Sequence, residues 1–329
     1  MMKDMMSSFE LLQPTTVSEA LALLKKHGKD GWAMAGGNDS LGWFKDRVKK
    51  PKAVIDLSGI SELKGIRETP EGLEIGALTT LTEIEENRVV QQKFKLLSVA
   101  AAKVASPQIR NTGSIGGNVA QDTRCWYYRS GLPCYRAGGN ICYADTPTAM
   151  NREHTLFNAN RCVAVSPSDV APALVALDAK MVIRNDGGTK TVDAQDFFIG
   201  PAVDITHMTI LKPGDLLTTI KIPNTWAGAT FYFEKVADRA VWDFPLVNVA
   251  AAMKVQGGNI QEMRIAAGGV ECVPKRLQVV EDLAKGQPKG EAVAKLAGQA
   301  AVRGARPLNY NHYKVTLMQN LVTRAIRDA

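Results

Sequence analysis

Four of the five cysteines in the chain lie in one segment, residues 125–162, which is also rich in aromatic residues and glycine. They are Cys125, Cys134, Cys142 and Cys162. Their spacing contains no Cys-x-x-Cys pair, which a structural zinc site normally uses, and a reducing compartment argues against two disulfides. Four thiolates on a wrapping loop can hold a [4Fe–4S] cluster from widely spaced positions. The segment therefore predicts a metal-binding insert and favours an iron–sulfur cluster over zinc.

The rest of the chain sets broad limits on what the protein does. With 329 residues it is long enough for two or three domains, and its net charge of +7 is scattered. No nucleic-acid motif accompanies that charge, no apolar run approaches the about 20 residues of a membrane span, and the N-terminus lacks a signal peptide's pattern. We expect a cytoplasmic protein, in which Cys272 is a buried structural thiol.

Hydrophobic periodicity changes character along the chain. Residues 16–29 predict a Thr-capped helix, and residues 94–106 predict a helix closed by Pro107. Residues 166–192 predict a helix and a hairpin. Beyond residue 223 the pattern predicts antiparallel strands, with "QGGN" as a hairpin turn, followed by helices to the end of the chain. The main boundary is therefore expected near residues 224–228.

Two glycine-rich segments could receive phosphate groups. They are "AGGND" (35–39) and "TGSIGGN" (112–118), the second of which is predicted to be a loop. Glycine lets the backbone approach a ligand closely, and successive N–H groups bind anions. Each segment alone is more often a tight turn, and neither is a Walker loop or a G-x-G-x-x-G fingerprint.

These segments occur in order with "IGALTTLTEI", "ASPQIRNTGSIGGNVA", "SPSDVAPALVALDA" and "FEKVADRAVWDFPLVNVAAAM". In this combination the chain resembles, over almost its whole length, the FAD-binding subunits of the molybdenum hydroxylase (xanthine dehydrogenase) family. The resemblance implies an α+β fold with a two-subdomain FAD-binding domain of the vanillyl-alcohol-oxidase/PCMH type over residues 1–224. The cysteine insert would occupy about 122–165. Residues 225–329 would form a C-terminal domain of antiparallel strands and helices.

The same resemblance implies which residues contact FAD. The diphosphate would lie against backbone N–H groups and short side chains. Ala77 and Thr80 would lie near the flavin or ribityl chain, and Asp169 near the ribityl or adenosine part. Lys235 would lie at the isoalloxazine edge. The alternative for Lys235 is a surface salt bridge. The diphosphate residues are Ala35, Gly36, Gly37, Asn38, Asp39, Thr112, Gly113, Ser114, Ile115, Gly116, Gly117 and Asn118.

The cysteine insert is similar to that of a minority subgroup, which includes the 4-hydroxybenzoyl-CoA reductase β subunit and FAD subunits of certain bacterial aldehyde oxidoreductases. By position, Cys125, Cys134, Cys142 and Cys162 match its four [4Fe–4S] ligands.

Three further questions about residues in and around the insert stay open. His154 either packs in the loop or hydrogen-bonds near the cluster. Three arginines either anchor the loop or pair with FAD phosphates: Arg110, Arg124 and Arg152. Four aromatics either pack the insert or shield the cluster: Trp126, Tyr127, Tyr128 and Tyr135.

The family implies the flavoprotein subunit of a multi-subunit oxidoreductase that carries out no substrate chemistry itself. Its partners would be a molybdopterin-binding large subunit, a [2Fe–2S] small subunit and an external electron donor or acceptor, in a heterotrimer or its dimer. Such a complex could also be exported with a partner subunit. The substrate reaction is either aromatic acyl-CoA dehydroxylation or oxidation of an aldehyde or N-heterocycle, with opposite directions of electron flow. The rival hypotheses are a stand-alone FAD oxidase and a zinc-stabilised interaction module.

Overall fold

The computed structural model describes residues 6–329, and its first sheet is small and parallel. The strand order is β1 (Glu10–Leu12), β3 (Ala53–Asp56), β2 (Gly31–Met34). The predicted helix at 16–29 is confirmed as α1 (Val17–His27), whose cap residue Thr16 accepts a hydrogen bond from the Glu19 N–H. Helix α2 (Ser40–Lys45) follows β2, so that "AGGND" lies at the carboxyl end of that strand.

The second sheet has five antiparallel strands in the order β4-β5-β8-β6-β7. The strands are β4 (Ile66–Thr69), β5 (Gly72–Gly76), β6 (Lys180–Asn185), β7 (Gly188–Asp193) and β8 (Leu216–Pro223). The helices of this part are α3 (Leu81–Glu86), α4 (Arg88–Lys93), α5 (Lys95–Ala102), α6 (Pro107–Arg110), α7 (Ile115–Ala120), α8 (Trp126–Arg129), α9 (Val170–Ala176) and α10 (Ala194–Phe197). Apolar side chains of α5, α7 and α9 pack on the sheet to form the largest core.

Two local predictions in this part are wrong. Pro107 does not simply close the preceding helix: it is the first residue of α6, where Ser106 is the cap and a missing N–H costs nothing. The glycine-rich segment 112–118 is not all loop, because Ser114 caps α7 by accepting a hydrogen bond from the Gly117 N–H. The two glycines at positions 116 and 117 are thus the second and third residues of a short helix.

The third sheet is antiparallel, in the order β12-β11-β10-β9. Its strands are β9 (Thr230–Val236), β10 (Val247–Gln256), β11 (Asn259–Gly268) and β12 (Lys275–Arg276). The "QGGN" hairpin is confirmed: Gln256 pairs with Asn259, and Gly257 and Gly258 between them have φ of 58° and 81°. The chain ends in α11 (Gln278–Ala284), α12 (Glu291–Ala301) and α13 (Tyr313–Arg327). The α+β fold class is therefore confirmed.

Strand β10 is buried on both faces and joins two cores. Ala250 and Ala252 belong to the core that contains α5 and α9, whereas Val249, Ala251 and Met253 pack with α12 and α13. This alternation follows from the two-residue period of a strand. The division into domains at residue 224 stays a prediction. Side chains of β10 in the third sheet pack in the same core as α5 and α9, so this core extends across the expected boundary.

Between α7 and α9 the chain is irregular. Apart from α8, residues 121–169 contain turns and two single 3-10 turns, at Tyr135–Ala137 and Tyr143–Asp145. Gly139 is required here, since a Cβ at that position would lie 1.8 Å from the carbonyl oxygen of Pro133. We call residues 122–165 the cysteine insert.

Candidate functional site

A cavity of about 470 Å³ lies where the carboxyl end of β2, the start of α7 and the segment before β10 meet. It is lined by most of the residues predicted to contact FAD. These are Ala35, Gly36, Gly37, Asn38, Asp39, Ala77, Gly113, Ser114, Gly116, Gly117 and Asn118. We call it the large cavity. Its volume is in the range of cofactor-binding clefts.

The two glycine-rich segments contact each other at one end of this cavity. A Cβ on Gly36 would lie 2.0 Å from the Thr112 carbonyl oxygen, and Asn38 Nδ2 donates to Thr112 Oγ1 at 3.1 Å. A Cβ on Gly116 would lie 2.7 Å from the Ala77 carbonyl oxygen, which also accepts a hydrogen bond from the Gly116 N–H. The glycines therefore allow backbone to pack on backbone, and this packing brings both segments to one wall.

Five residues predicted to contact FAD are not in the lining: Thr80, Thr112, Ile115, Asp169 and Lys235. Thr80 caps α3 in a reciprocal pair of hydrogen bonds with Glu83, and Thr112 is the partner of Asn38. Ile115 is fully buried in the core. Sequence reasoning did not separate the residues that hold the wall from those that face the cavity.

Asp169 and Lys235 form a buried ion pair. Lys235 Nζ lies 2.7 Å from Asp169 Oδ2, with side chains 7% and 3% exposed. Asn248 donates to the other carboxylate oxygen at 2.9 Å, and Lys235 also donates to the Lys103 carbonyl oxygen. Burial raises the pKa of the Asp169 carboxyl, against the opposing effect of the Lys235 ammonium. The alternative of a surface salt bridge for Lys235 is wrong, because this pair is inside the protein.

Several residues of the large cavity were missed by sequence reasoning. Apolar and aromatic side chains form its other walls: Trp32, Leu57, Leu63, Leu78, Leu81, Val104, Ile109, Leu211, Leu217, Trp242 and Phe244. Trp242 is 59% exposed and has φ of 80°, and its N–H donates to the Ala105 carbonyl oxygen. Some of these residues stand in segments that carry the family resemblance, but nothing in their local pattern distinguished a side chain that faces the cavity from one in the core.

A second, smaller cavity is lined by all four clustered cysteines, and by Tyr127, Tyr128 and Tyr135. Burial raises the pKa of the Cys125 thiol to about 12, and it also raises the pKa values of Cys142 and Cys162. The four cysteines come together from positions up to 37 residues apart, as 162 − 125 shows. Within residues 6–329, however, no three Cys, His, Asp or Glu side chains lie close enough together to hold a single metal ion.

The aromatic residues of the insert take different positions, and whether they shield a cluster stays a prediction. Trp126 is 59% exposed and is not in the lining of the cysteine cavity, whereas Tyr128 lines that cavity and is buried against Trp43 with ring centroids 5.4 Å apart. His154 is packed inside the insert and also lies against a cysteine. Its side chain is 6% exposed, and its Nε2 lies 3.3 Å from Cys125 Sγ. Burial and the nearby Lys314 lower the pKa of His154 to about 4.

The three arginines separate into two roles. Arg110 donates to Glu85 and to the Val104 carbonyl oxygen, and Arg152 pairs with Asp238 on the surface. Arg124 is the one of the three that lines the large cavity.

The fifth cysteine, Cys272, is buried as predicted. Its Sγ lies 3.6 Å from Met208 Sδ, and it is outside the lining of the cysteine cavity. In the described part of the chain no helix is long and apolar enough to span a membrane.

Comparison with known families covers nearly the whole chain. Residues 7–225 match the FAD binding domain in molybdopterin dehydrogenase, and residues 232–329 match the CO dehydrogenase flavoprotein C-terminal domain. The chain is 30% identical over 329 residues to the aldehyde oxidoreductase FAD-binding subunit PaoB of Escherichia coli, covering 98% of this chain and 99% of PaoB.

Carbon monoxide dehydrogenase provides two further matches. The medium chain from Hydrogenophaga pseudoflava is 28% identical, covering 98% of this chain and 96% of that protein. A solved structure of the Hydrogenophaga pseudoflava carbon monoxide dehydrogenase superposes with a TM-score of 0.77 at 27% identity, over 98% of this chain and 96% of the matched one. The chain belongs to the family of FAD-binding medium subunits of the molybdopterin dehydrogenases.

Proposed function

We propose that this chain is the electron-transferring subunit of a molybdopterin-dependent oxidoreductase, and that it carries both FAD and a [4Fe–4S] cluster. The observation that carries the proposal is the adjacency of the two cavities, since Arg124 lines one and Cys125 lines the other. Its partners would be a molybdopterin-binding large subunit and a [2Fe–2S] small subunit, in a heterotrimer or its dimer, together with an external electron donor or acceptor.

The large cavity suits an extended FAD molecule. Gly36 and Gly37 line the cavity and their backbone N–H groups would hold the diphosphate, and the apolar walls would receive the flavin and adenine rings. FAD supplies the ability to exchange single electrons with clusters and pairs of electrons with an external partner. The part of the chain itself would be to position the cofactor.

The lining of the large cavity favours electron transfer over substrate chemistry. Of the described residues that line it, none is histidine, lysine, tyrosine or cysteine, and the charged ones are Asp39, Asp122, Arg124 and Asp215. General acid–base catalysis depends most often on histidine, and on a group with a pKa near the working pH. This observation favours an electron-transferring subunit over a stand-alone FAD oxidase.

What supports an iron–sulfur cluster in the cysteine cavity is that all four clustered cysteines line it. Four thiols on an irregular loop can each bind a different corner of a cube, so they need not surround one point as ligands of a single ion do. The open space is only about 10 Å³, so the four sulfurs would move outward around a cluster. Because burial raises the pKa values of Cys125, Cys142 and Cys162, these three thiols need positive charge beside them, such as that of bound iron, to ionise at neutral pH.

The substrate reaction that we favour is an oxidation. The related proteins are named as an aldehyde oxidoreductase subunit and a carbon monoxide dehydrogenase medium chain. By analogy, we propose that an aldehyde or an N-heterocycle is oxidised on the partner subunit, and that electrons leave through this chain. Aromatic acyl-CoA dehydroxylation, with electrons moving in the opposite direction, is the competing proposal.

An absorption spectrum of the anaerobically purified complex tests the proposed cofactors. We expect flavin bands over a broad iron–sulfur shoulder that dithionite bleaches, with four iron atoms and one FAD per chain. A protein that contains zinc and no flavin would contradict the proposal and support an interaction module. Substrate oxidation by the isolated chain would instead support a stand-alone oxidase.

The variant Cys134→Ser tests the ligand assignment. We expect it to lose the iron–sulfur absorption and to keep FAD, because Cys134 lies outside the large cavity and a serine hydroxyl is a poor substitute for a thiolate. The matched control is Cys272→Ser, a substitution of the buried cysteine outside the cysteine cavity, which should keep its iron. Four iron atoms retained in Cys134→Ser would show that the ligand assignment is wrong.

A further inference from the structure

The charged side chains that line the large cavity are unbalanced in sign. Of the described residues that line it, three are acidic, Asp39, Asp122 and Asp215, and Arg124 is the only cationic one. The FAD diphosphate carries two negative charges. Asp39 lies two residues after Gly37 in the first segment and lines the cavity, so its carboxylate would oppose that diphosphate unless the charge is compensated.

Arg124 is held in place by two other residues of the cavity wall. Its Nη1 donates to Asp39 Oδ1, and its guanidinium carbon lies 4.5 Å from the centroid of the Phe244 ring. An arginine that is paired on one side and stacked on the other loses little further freedom on meeting an anion. Arg124 belongs to the cysteine insert and immediately precedes Cys125.

Asp39 has two further partners, of which Trp43 lines the large cavity and Arg129 does not. Arg129 Nη1 donates to the same Oδ1 at 3.0 Å, and Trp43 Nε1 donates to Oδ2 at 2.9 Å. Arg129 is not in the lining, and its guanidinium carbon is 3.8 Å from the centroid of the Trp43 ring. One carboxylate is therefore shared by two guanidinium groups, so the group as a whole is positive.

We propose that Arg124 is a cofactor-binding residue that faces the diphosphate of FAD, and that Arg129 is a positioning residue that neutralises Asp39 from behind. The inference rests on the FAD site of the proposed function and does not depend on the cluster. The cysteine insert then forms part of the FAD site. By linkage, FAD binding stabilises the arrangement of the insert to the same extent that this arrangement strengthens FAD binding.

Equilibrium titration of the FAD-depleted full-length chain with FAD tests the proposal. For Arg124→Gln we expect the Kd to rise about tenfold or more, since a charge-assisted hydrogen bond to an anion is lost. Arg124→Lys keeps the charge and should lose less. Arg129→Gln should weaken binding severalfold although it does not touch the cavity. The matched control, Arg152→Gln, removes an insert arginine whose ion pair is on the surface, and should bind like the wild type.

A rescue experiment separates charge compensation from damage to the fold. The double variant Asp39→Asn with Arg129→Gln removes the carboxylate together with its counter-ion, so its Kd should return toward that of the wild type. Wild-type Kd values in both Arg124→Gln and Arg129→Gln, or no recovery in the double variant, would overturn the inference. A wild-type chain that binds no FAD would instead refute the proposed function.

Discussion

The large cavity and the cysteine insert are adjacent, but they are built by different means. The wall of the large cavity depends on backbone packed against backbone, as where Gly36 meets Thr112 and Gly116 meets Ala77. The insert contains almost no regular structure, and buried polar side chains from other parts of the chain hold it. A backbone-built wall tolerates changes of side chain but not the addition of a Cβ, whereas an insert held by side chains is sensitive to the loss of single polar groups.

The side chains that hold the insert come from within it and from the C-terminal part of the chain. Arg136 is almost fully buried and donates to Asp122 and to the Ile205 carbonyl oxygen. From the start of α13, Lys314 Nζ donates to the carbonyl oxygens of Glu153, His154 and Gly269, and Asn311 donates to those of His154 and Thr155. The C-terminal helix thus fixes the residue that contacts Cys125 Sγ.

The largest expected effect is at the backbone-built wall. Gly36→Ala would place a Cβ 2.0 Å from the Thr112 carbonyl oxygen, which belongs to the backbone and has no rotamer to change. We expect the variant to lose bound FAD and to melt at a lower temperature, measured by flavin content after gel filtration and by thermal unfolding. Gly200→Ala is the control, since no atom lies within 4 Å of its added Cβ. Full FAD content in Gly36→Ala would show that the wall of the large cavity does not depend on this contact between backbone atoms.

A smaller effect is expected at the buried ion pair, which lies outside the cavity lining. Lys235→Met leaves the Asp169 carboxylate buried without its cation, and we expect the free energy of unfolding to fall by about 3–5 kcal/mol. Adding Asp169→Asn should restore part of that loss, as urea denaturation would show. The flavin reduction potential should stay unchanged. A shifted potential would mean that Lys235 acts on the flavin after all.

The most gradual effect is the pH dependence of stability contributed by Lys314. Burial lowers the pKa of its ammonium from the ordinary value of 10.5 to about 7. Between these values the unfolded chain binds a proton that the folded chain does not, so this group makes stability rise with pH over that window. Lys314→Met should lack this contribution, and the difference in slope should reach about 1.4 kcal/mol per pH unit. Urea denaturation from about pH 7 to pH 10 measures it, and parallel slopes would contradict the burial argument.

The sequence by itself determined the features that depend on neighbouring residues. The Thr16 cap and the "QGGN" hairpin follow from local backbone preferences, which operate within a few residues. The glycine-rich segments follow from the need for close backbone approach. The family resemblance rests on the glycine-rich segments together with other short segments, so the amino-acid sequence alone was enough to identify the FAD-binding domain.

Only the tertiary structure decided which side chains face the large cavity. Local patterns cannot show that Lys235 pairs with Asp169 inside the protein, or that Arg124 lies between Asp39 and Phe244. These partners are separated by 66 to 120 residues, as 235 − 169 and 244 − 124 show. Their contacts exist because the sheets and the insert pack together, and the energy of burying a charge depends on that packing rather than on sequence neighbours.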